Sequence, residues 1–226
     1  MIGRSLVTGS GEIGDAIADR LAGEGGLVSR LVDREDHAAD AIGVDFADDA
    51  SIASVVSALE GPFGSVVISH AYAEVGNLID TTPRAWRHVL DVNLNSVFVL
   101  LHHLLAQVLP GGSIVIVSST AGLDRSKNSG PHYTAAKAGV NGLVRHLAGE
   151  LAERDIRINA VCAGLIDDEL ASAVNTAETL ADAIAGIPLG RAGDPAEIAD
   201  AVSFLLSSDA SYMTGALFSV SGGTHR

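Results

Sequence analysis

The feature that most constrains this chain is an alternation in which short, strand-length apolar runs are each followed by a longer amphipathic stretch. Ser5-Leu6-Val7 leads into a segment where Ile13, Ile17 and Leu21 recur four apart, on one helical face. Leu31-Val32 ends at Asp33, Ile42-Gly43-Val44 at Asp45, and Val66-Val67-Ile68 at Ser69. Ser113-Ile114-Val115-Ile116-Val117 ends at Ser118, residues 156–161 run to Ala163-Gly164, and Leu217-Phe218-Ser219-Val220 is last. Several runs are continuously apolar, as expected of strands covered by helices on both faces. Strand–helix alternation implies right-handed crossovers, and so a doubly wound α/β parallel sheet of about seven strands.

Ordinary start and stop signals fill the intervals. Pro83 opens a helix running to about residue 108, with Pro110 and Gly111-Gly112 ending it. Pro195, preceded by Asp194, opens another running to about Leu206. Only 11 residues separate Asp33 from Asp45, which leaves room for a single short turn of helix. No linker, repeat or low-complexity segment interrupts the 226 residues, so residues 1–226 read as a single domain.

Charge and cysteine usage narrow the function. Fourteen Lys and Arg against 28 Asp and Glu leave a formal charge of −14, which repels nucleic-acid phosphates and anionic lipid. The lone cysteine, Cys162, excludes an intrachain disulfide and a multi-cysteine metal cage. His102 and His103 are adjacent and diverge by about 100° on a helix, so no metal pair is expected there. No apolar run approaches the roughly 20 residues of a membrane span, and no basic-then-apolar leader opens the chain. A cytoplasmic protein without nucleic-acid or membrane partners is expected.

Thr8-Gly9-Ser10-Gly11-Glu12-Ile13-Gly14 places Gly-x-Gly-x-x-Gly between the first strand and the first helix. Gly9 permits the tight turn, Gly11 lets a pyrophosphate approach bare backbone, and Gly14 lets the helix pack closely on the strand. Unpaired N–H groups at the helix start would face the anion. Asp33, 19 residues after Gly14, ends the second strand, where a carboxylate accepts from ribose hydroxyls and repels a 2′-phosphate. That favours NAD(H), while Arg34, next in sequence, keeps NADP(H) open.

Tyr133 and Lys137 lie four apart, on one face of a helix, in a chain with three tyrosines and two lysines. An ammonium beside a phenol is expected to lower its pKa from about 10, fitting it for proton exchange with an alcohol or carbonyl oxygen.

Taken in order, these motifs resemble the short-chain dehydrogenase/reductase family in its single-domain form, a Rossmann-type fold, and the resemblance spans essentially the whole chain. Thr8 to Gly14 is similar to the cofactor turn, Asp45 to the acidic residue beside adenine, and Asn93 to the helix asparagine of the catalytic set. Ser118-Ser119, Tyr133 and Lys137 are similar to the serine, tyrosine and lysine of that set. Asn159-Ala160-Val161, Gly190-Arg191 and Gly222-Gly223 match later landmarks. The resemblance implies that Tyr133 is the general acid/base, that Ser119 holds the substrate oxygen, and that Lys137 holds the nicotinamide ribose. It also implies that Asn93 bends its helix and positions water. The implied cofactor contacts are Gly9, Gly11, Glu12, Ile13, Gly14, Asp33, Arg34, Asp45, Phe46, Ser69, His70, Ala71, Tyr133, Lys137, Gly164 and Ile166. A homotetramer is the implied assembly, a homodimer the next.

Several positions depart from the family pattern. The glycine turn is one residue short and carries Glu12 near the diphosphate. Ser69-His70-Ala71-Tyr72 stands where Asn-Asn-Ala-Gly is usual, and His70 reads as a solvated or structural loop residue. Asp168 replaces a threonine that touches the cofactor, and the carboxylates 167–169 read as helix-start residues. Arg125, in the loop between the serine and the tyrosine, reads as a solvated cation, and residues 165–190 as a substrate lid. The expected function is hydride transfer between a nicotinamide cofactor, NAD(H) favoured, and a secondary alcohol or ketone. The alternatives are an NADPH-dependent reductase of acyl or polyketide-type ketones and a dinucleotide-binding sensor without turnover.

Overall fold

The computed structural model describes residues 3–33, 41–126 and 128–225. Seven strands form one sheet: β1 (Arg4–Thr8), β2 (Leu27–Asp33), β3 (Ile42–Val44), β4 (Phe63–Ile68), β5 (Val108–Ser119), β6 (Arg157–Ala163) and β7 (Leu217–Val220). Their order across the sheet is β3-β2-β1-β4-β5-β6-β7, and every pairing is parallel. The chain is therefore the doubly wound α/β sheet its apolar runs imply. Arg34 and the crossover before β3 lie outside the described residues.

Strand geometry sends successive side chains to opposite faces, and both faces here are apolar. Leu6, Val66, Ile68, Ile114 and Ile116 pack on one side, under α2 (Asp49–Ala58), α4 (Ser96–Leu104) and α5 (Pro131–Ala152). Val7, Val67, Val115, Val117 and Val161 pack on the other, under α1 (Glu12–Gly23) and α8 (Pro195–Leu206). Pro opens α5 and α8, and the Asp194 carboxylate caps α8 in a reciprocal box with Glu197. Arg157, at the start of β6, donates to the carbonyls of Leu205, Leu206, Ser207 and Met213, holding the far end of α8.

From Pro83 to Gln107 the chain is helical throughout: α3 (Pro83–Leu90), a π-helical turn (Asp91–Asn95), α4 and a final 3₁₀ turn. This run corrects the expectation from unbroken apolar stretches. An 18-residue window in it reaches a mean hydropathy of 1.5, enough for a membrane span by length and composition. Val97, Leu100, Leu101 and Leu104 from this run are instead buried against the sheet.

Strand order reverses between β1 and β4, which grow to opposite edges of the sheet. Open α/β sheets bind ligands in the crevice at such a point, beyond the carboxyl ends of the strands. The Ser69 N–H donates to the Thr8 carbonyl at 3.0 Å and the Gly9 N–H to the Leu31 carbonyl at 2.8 Å, so the three strand ends are tied together there.

Candidate active site

The glycine turn closes directly on the switch point. Gly9 has φ +107°, and a Cβ on it would lie 2.7 Å from the His70 backbone nitrogen. A Cβ on Gly14 would lie 2.6 Å from the Gly9 carbonyl oxygen, so α1 rests on the turn itself. Gly11 caps α1 at φ +82° with open space around it and no side-chain hydrogen bond to the first turn. The first N–H groups of α1 are thus left for an anion from outside. This cradle fits the diphosphate of a dinucleotide, and Gly9, Gly11 and Gly14 would form it.

A cavity of about 610 Å³ runs from this turn to the carboxyl ends of β5 and β6. Gly11, Glu12, Ile13, Ser69, Ala71, Gly164 and Ile166 line it toward the turn, and Ser119, Tyr133 and Lys137 line the opposite wall. Three chain segments deliver that wall. Ser119 ends β5, where its hydroxyl accepts from the Ala121 N–H at 3.1 Å. Tyr133 and Lys137 sit in the first two turns of α5, 8% and 2% exposed. The Lys137 ammonium donates to the Val117 carbonyl at 3.2 Å and lies 5.6 Å from the centre of the Tyr133 ring.

The electrostatics correct one expectation. Burial pushes the Tyr133 phenol up to about 12, with a hydrogen bond from the Ser119 side chain pulling the other way and Asp168 adding to the rise. Burial also pushes Lys137 down to about 8, so the ammonium pays for its own desolvation. The phenol therefore keeps its proton at neutral pH, and the group that pulls it down is Ser119 rather than the anticipated Lys137.

Under this wall a second polar layer joins α5 to the sheet. The Ser118 hydroxyl donates to Asn141 Oδ1 at 2.7 Å, and Cys162 Sγ lies 3.8 Å from the same oxygen. Cys162 is buried, and burial pushes its thiol up to about 11. Asn141 lies one helical turn beyond Lys137, a spacing that would have revealed it.

Asn93 sits in the π turn, fully buried, and its side chain is committed: it accepts from the Tyr72 N–H at 3.1 Å and donates to the Tyr72 and Val89 carbonyls at 2.7 and 2.8 Å. Both amide hydrogens are spent, so the amide has no donor left for a relay water. His70 is likewise buried rather than a solvated loop residue. Its ring nitrogens lie 2.8 Å from Thr8 Oγ1 and 2.8 Å from Ser96 Oγ, bridging β1 to α4. Burial, then the Lys137 charge, push it down to about 3, so it is neutral. Phe46 stacks on His70 with ring centres 3.8 Å apart. The side chains of His70 and Phe46 thus form the floor behind the turn and do not line the cavity. Asp33 ends β2 at the same sheet edge, and the Asp45 carboxylate accepts from the Ala47 N–H at 2.9 Å.

Over the cavity lie α6 (Glu169–Val174) and α7 (Ala177–Ala185), the region expected to be a lid. Asp168 caps α6 by accepting from the Ala171 N–H at 2.8 Å, and burial, then neighbouring Glu12, Asp167 and Glu169, hold its carboxyl above the usual range. Asn128 donates to Asn175 Oδ1, joining the loop after β5 to the lid. Asn128, Asn175, Thr224 and His225 also line the cavity; no motif marks them, because only folding brings the chain's last residues to this mouth.

A family model described as enoyl-(acyl carrier protein) reductase matches residues 10–225. A 3-oxoacyl-(acyl carrier protein) reductase of Vibrio cholerae is 34% identical over 238 residues, covering 98% of this chain and 96% of that protein. A short chain dehydrogenase family protein from Francisella tularensis has a similar structure, with a TM-score of 0.89 at 27% identity over 99% of this chain and 98% of that one. A blue fluorescent protein from a metagenomic library, solved in complex with NADPH, gives 0.89 at 26% identity, covering 99% and 98%.

Proposed function

This chain belongs to the short-chain dehydrogenase/reductase family, an oxidoreductase family using nicotinamide cofactors, and we propose that it interconverts a ketone and a secondary alcohol with Tyr133 as the proton-exchanging group. The observation that carries this reading is the convergence of Tyr133, Ser119 and Lys137 on one wall of a cavity whose other end is the bare glycine turn. The cofactor, when bound, supplies or accepts the hydride.

The protein's own groups do the rest. Ser119, at the mouth of β5, holds the substrate oxygen beside the Tyr133 hydroxyl. Tyr133, pushed up to about 12, keeps its proton until a developing alkoxide takes it in reduction, and the reverse transfer serves oxidation. Lys137, charged at neutral pH with its value near 8, is placed to hold a ribose hydroxyl and to steady the phenolate left behind. Asn93 acts from behind, pinning Tyr72 and holding the bend in its helix.

Asp33 at the end of β2 supports NAD(H), since its carboxylate would oppose a 2′-phosphate. The NADPH complex of the similar metagenomic protein supports the other choice, and the Vibrio cholerae relative supports a 3-oxoacyl type of ketone. The experiment is a pair of measurements on Tyr133→Phe. Turnover on a panel of ketones should vanish, while NADH should bind as it does to the wild type and more tightly than NADPH. Retained turnover would remove Tyr133 from the chemistry, and tighter NADPH binding would overturn the argument from Asp33.

A further inference from the structure

One residue at the glycine turn contradicts the cradle around it. Glu12 is the first residue of α1, at the helix end where backbone N–H groups and a positive dipole end would draw a diphosphate. Its carboxylate is not simply directed to solvent: Oε2 accepts from the Glu169 N–H at 3.2 Å, across the cavity mouth to the first residue of α6. Asp168 and Glu169 line the same mouth, and Asp168 lies close enough to feel the Glu12 charge. Among the described residues lining the cavity, the Arg and Lys side chains are Arg125 and Lys137, and Lys137 belongs to the catalytic wall. Among the described residues, the cation paired within the first turn of α1 is Arg30, and it is bound to Asp15 rather than to Glu12.

We propose that Glu12 lowers the dinucleotide affinity of this enzyme: its carboxylate stands beside the open anion position at the start of α1 and straps the lid to the turn through Glu169. The inference rests on the reading that a dinucleotide binds at the glycine turn. Two consequences separate it from a plain helix-starting role. A fixed negative charge repels an incoming diphosphate through space, so the effect is screened by salt. The strap is a hydrogen bond to one amide, so it survives replacement by a neutral acceptor and is lost with a methyl group.

The test is titration of NADH, followed by its fluorescence, into the full-length wild type, Glu12→Gln and Glu12→Ala. Both variants should bind NADH about three- to tenfold more tightly at about 10 mM NaCl. The gain should shrink toward nothing at about 1 M NaCl, where the Debye length is about 3 Å. Hydrogen exchange at the Glu169 amide should quicken in Glu12→Ala and stay near wild type in Glu12→Gln. Equal or weaker NADH binding by both variants overturns the proposal while leaving the dinucleotide reading intact. No NADH binding by any of the three proteins overturns both.

Discussion

Lys137→Met should make the protein more stable while removing its activity, and the size of the gain is set by the burial of one ammonium. Lys137 is 2% exposed, and burial brings it from 10.5 to about 8. At about 1.4 kcal/mol per unit, keeping it charged at pH 7 costs the folded state roughly 3 kcal/mol. Methionine keeps the unbranched stem and its packing but loses the hydrogen bond to the Val117 carbonyl, returning about 1 kcal/mol of that. The net gain at pH 7 is then about 2 kcal/mol, or roughly 4–8 °C in Tm for a chain of this length. The pH dependence has a definite sign. Between pH 8 and 10.5 the unfolded chain still binds the Lys137 proton and the folded one does not, so the wild type gains stability as pH rises through this window. Below it the penalty is complete, above it absent. Tyr133, raised from 10 to about 12, makes both proteins lose stability above pH 10, and this cancels in their difference. Urea unfolding of the two proteins at one protein concentration, followed by Trp86 fluorescence at several pH values, measures the gap directly. A gap that stays level from pH 7 to 10.5, or a less stable variant at pH 7, would refute the account of Lys137 as a desolvated charge.

Two further perturbations test the scaffold. Gly9→Ala forces a side chain into φ +107° with its Cβ 2.7 Å from the His70 backbone nitrogen, and should cost roughly 2–3 kcal/mol by urea unfolding as well as weakening NADH binding; a neutral result would mean the turn is looser than its contacts. Arg157→Gln removes a guanidinium from three carbonyls at the end of α8 and from that of Met213 and should lower stability by about 2–3 kcal/mol, with Arg157→Lys recovering little of it because an ammonium lacks the planar fork.

The sheet was legible in the sequence because its strands are apolar on both sides. Runs such as Val66-Val67-Ile68 have no amphipathic reading, and each sits in the sheet with neighbours facing opposite cores. Pro83, and Pro195 behind Asp194, marked helix starts by local chemistry alone, since a cap and a missing N–H need no distant partner. The Tyr133–Lys137 pair was legible for the same reason: a helical period of 3.6 places them together wherever the helix docks. Asn175 and His225 at the cavity mouth were not, because they reach it from segments far apart in the chain and no local spacing marks them.

The sequence by itself determined which residues could form strands, which turns were bare of side chains, and which side chains share a helix face, because these follow from spacing and local sterics. Only the tertiary structure decided how much water each group keeps. Burial raised the Tyr133 phenol where a lowered pKa was expected and made His70 a neutral bridge beneath the turn, while the docking of α6 brought Glu12 against the lid. Desolvation depends on everything that packs around a group, so no stretch of chain encodes it alone.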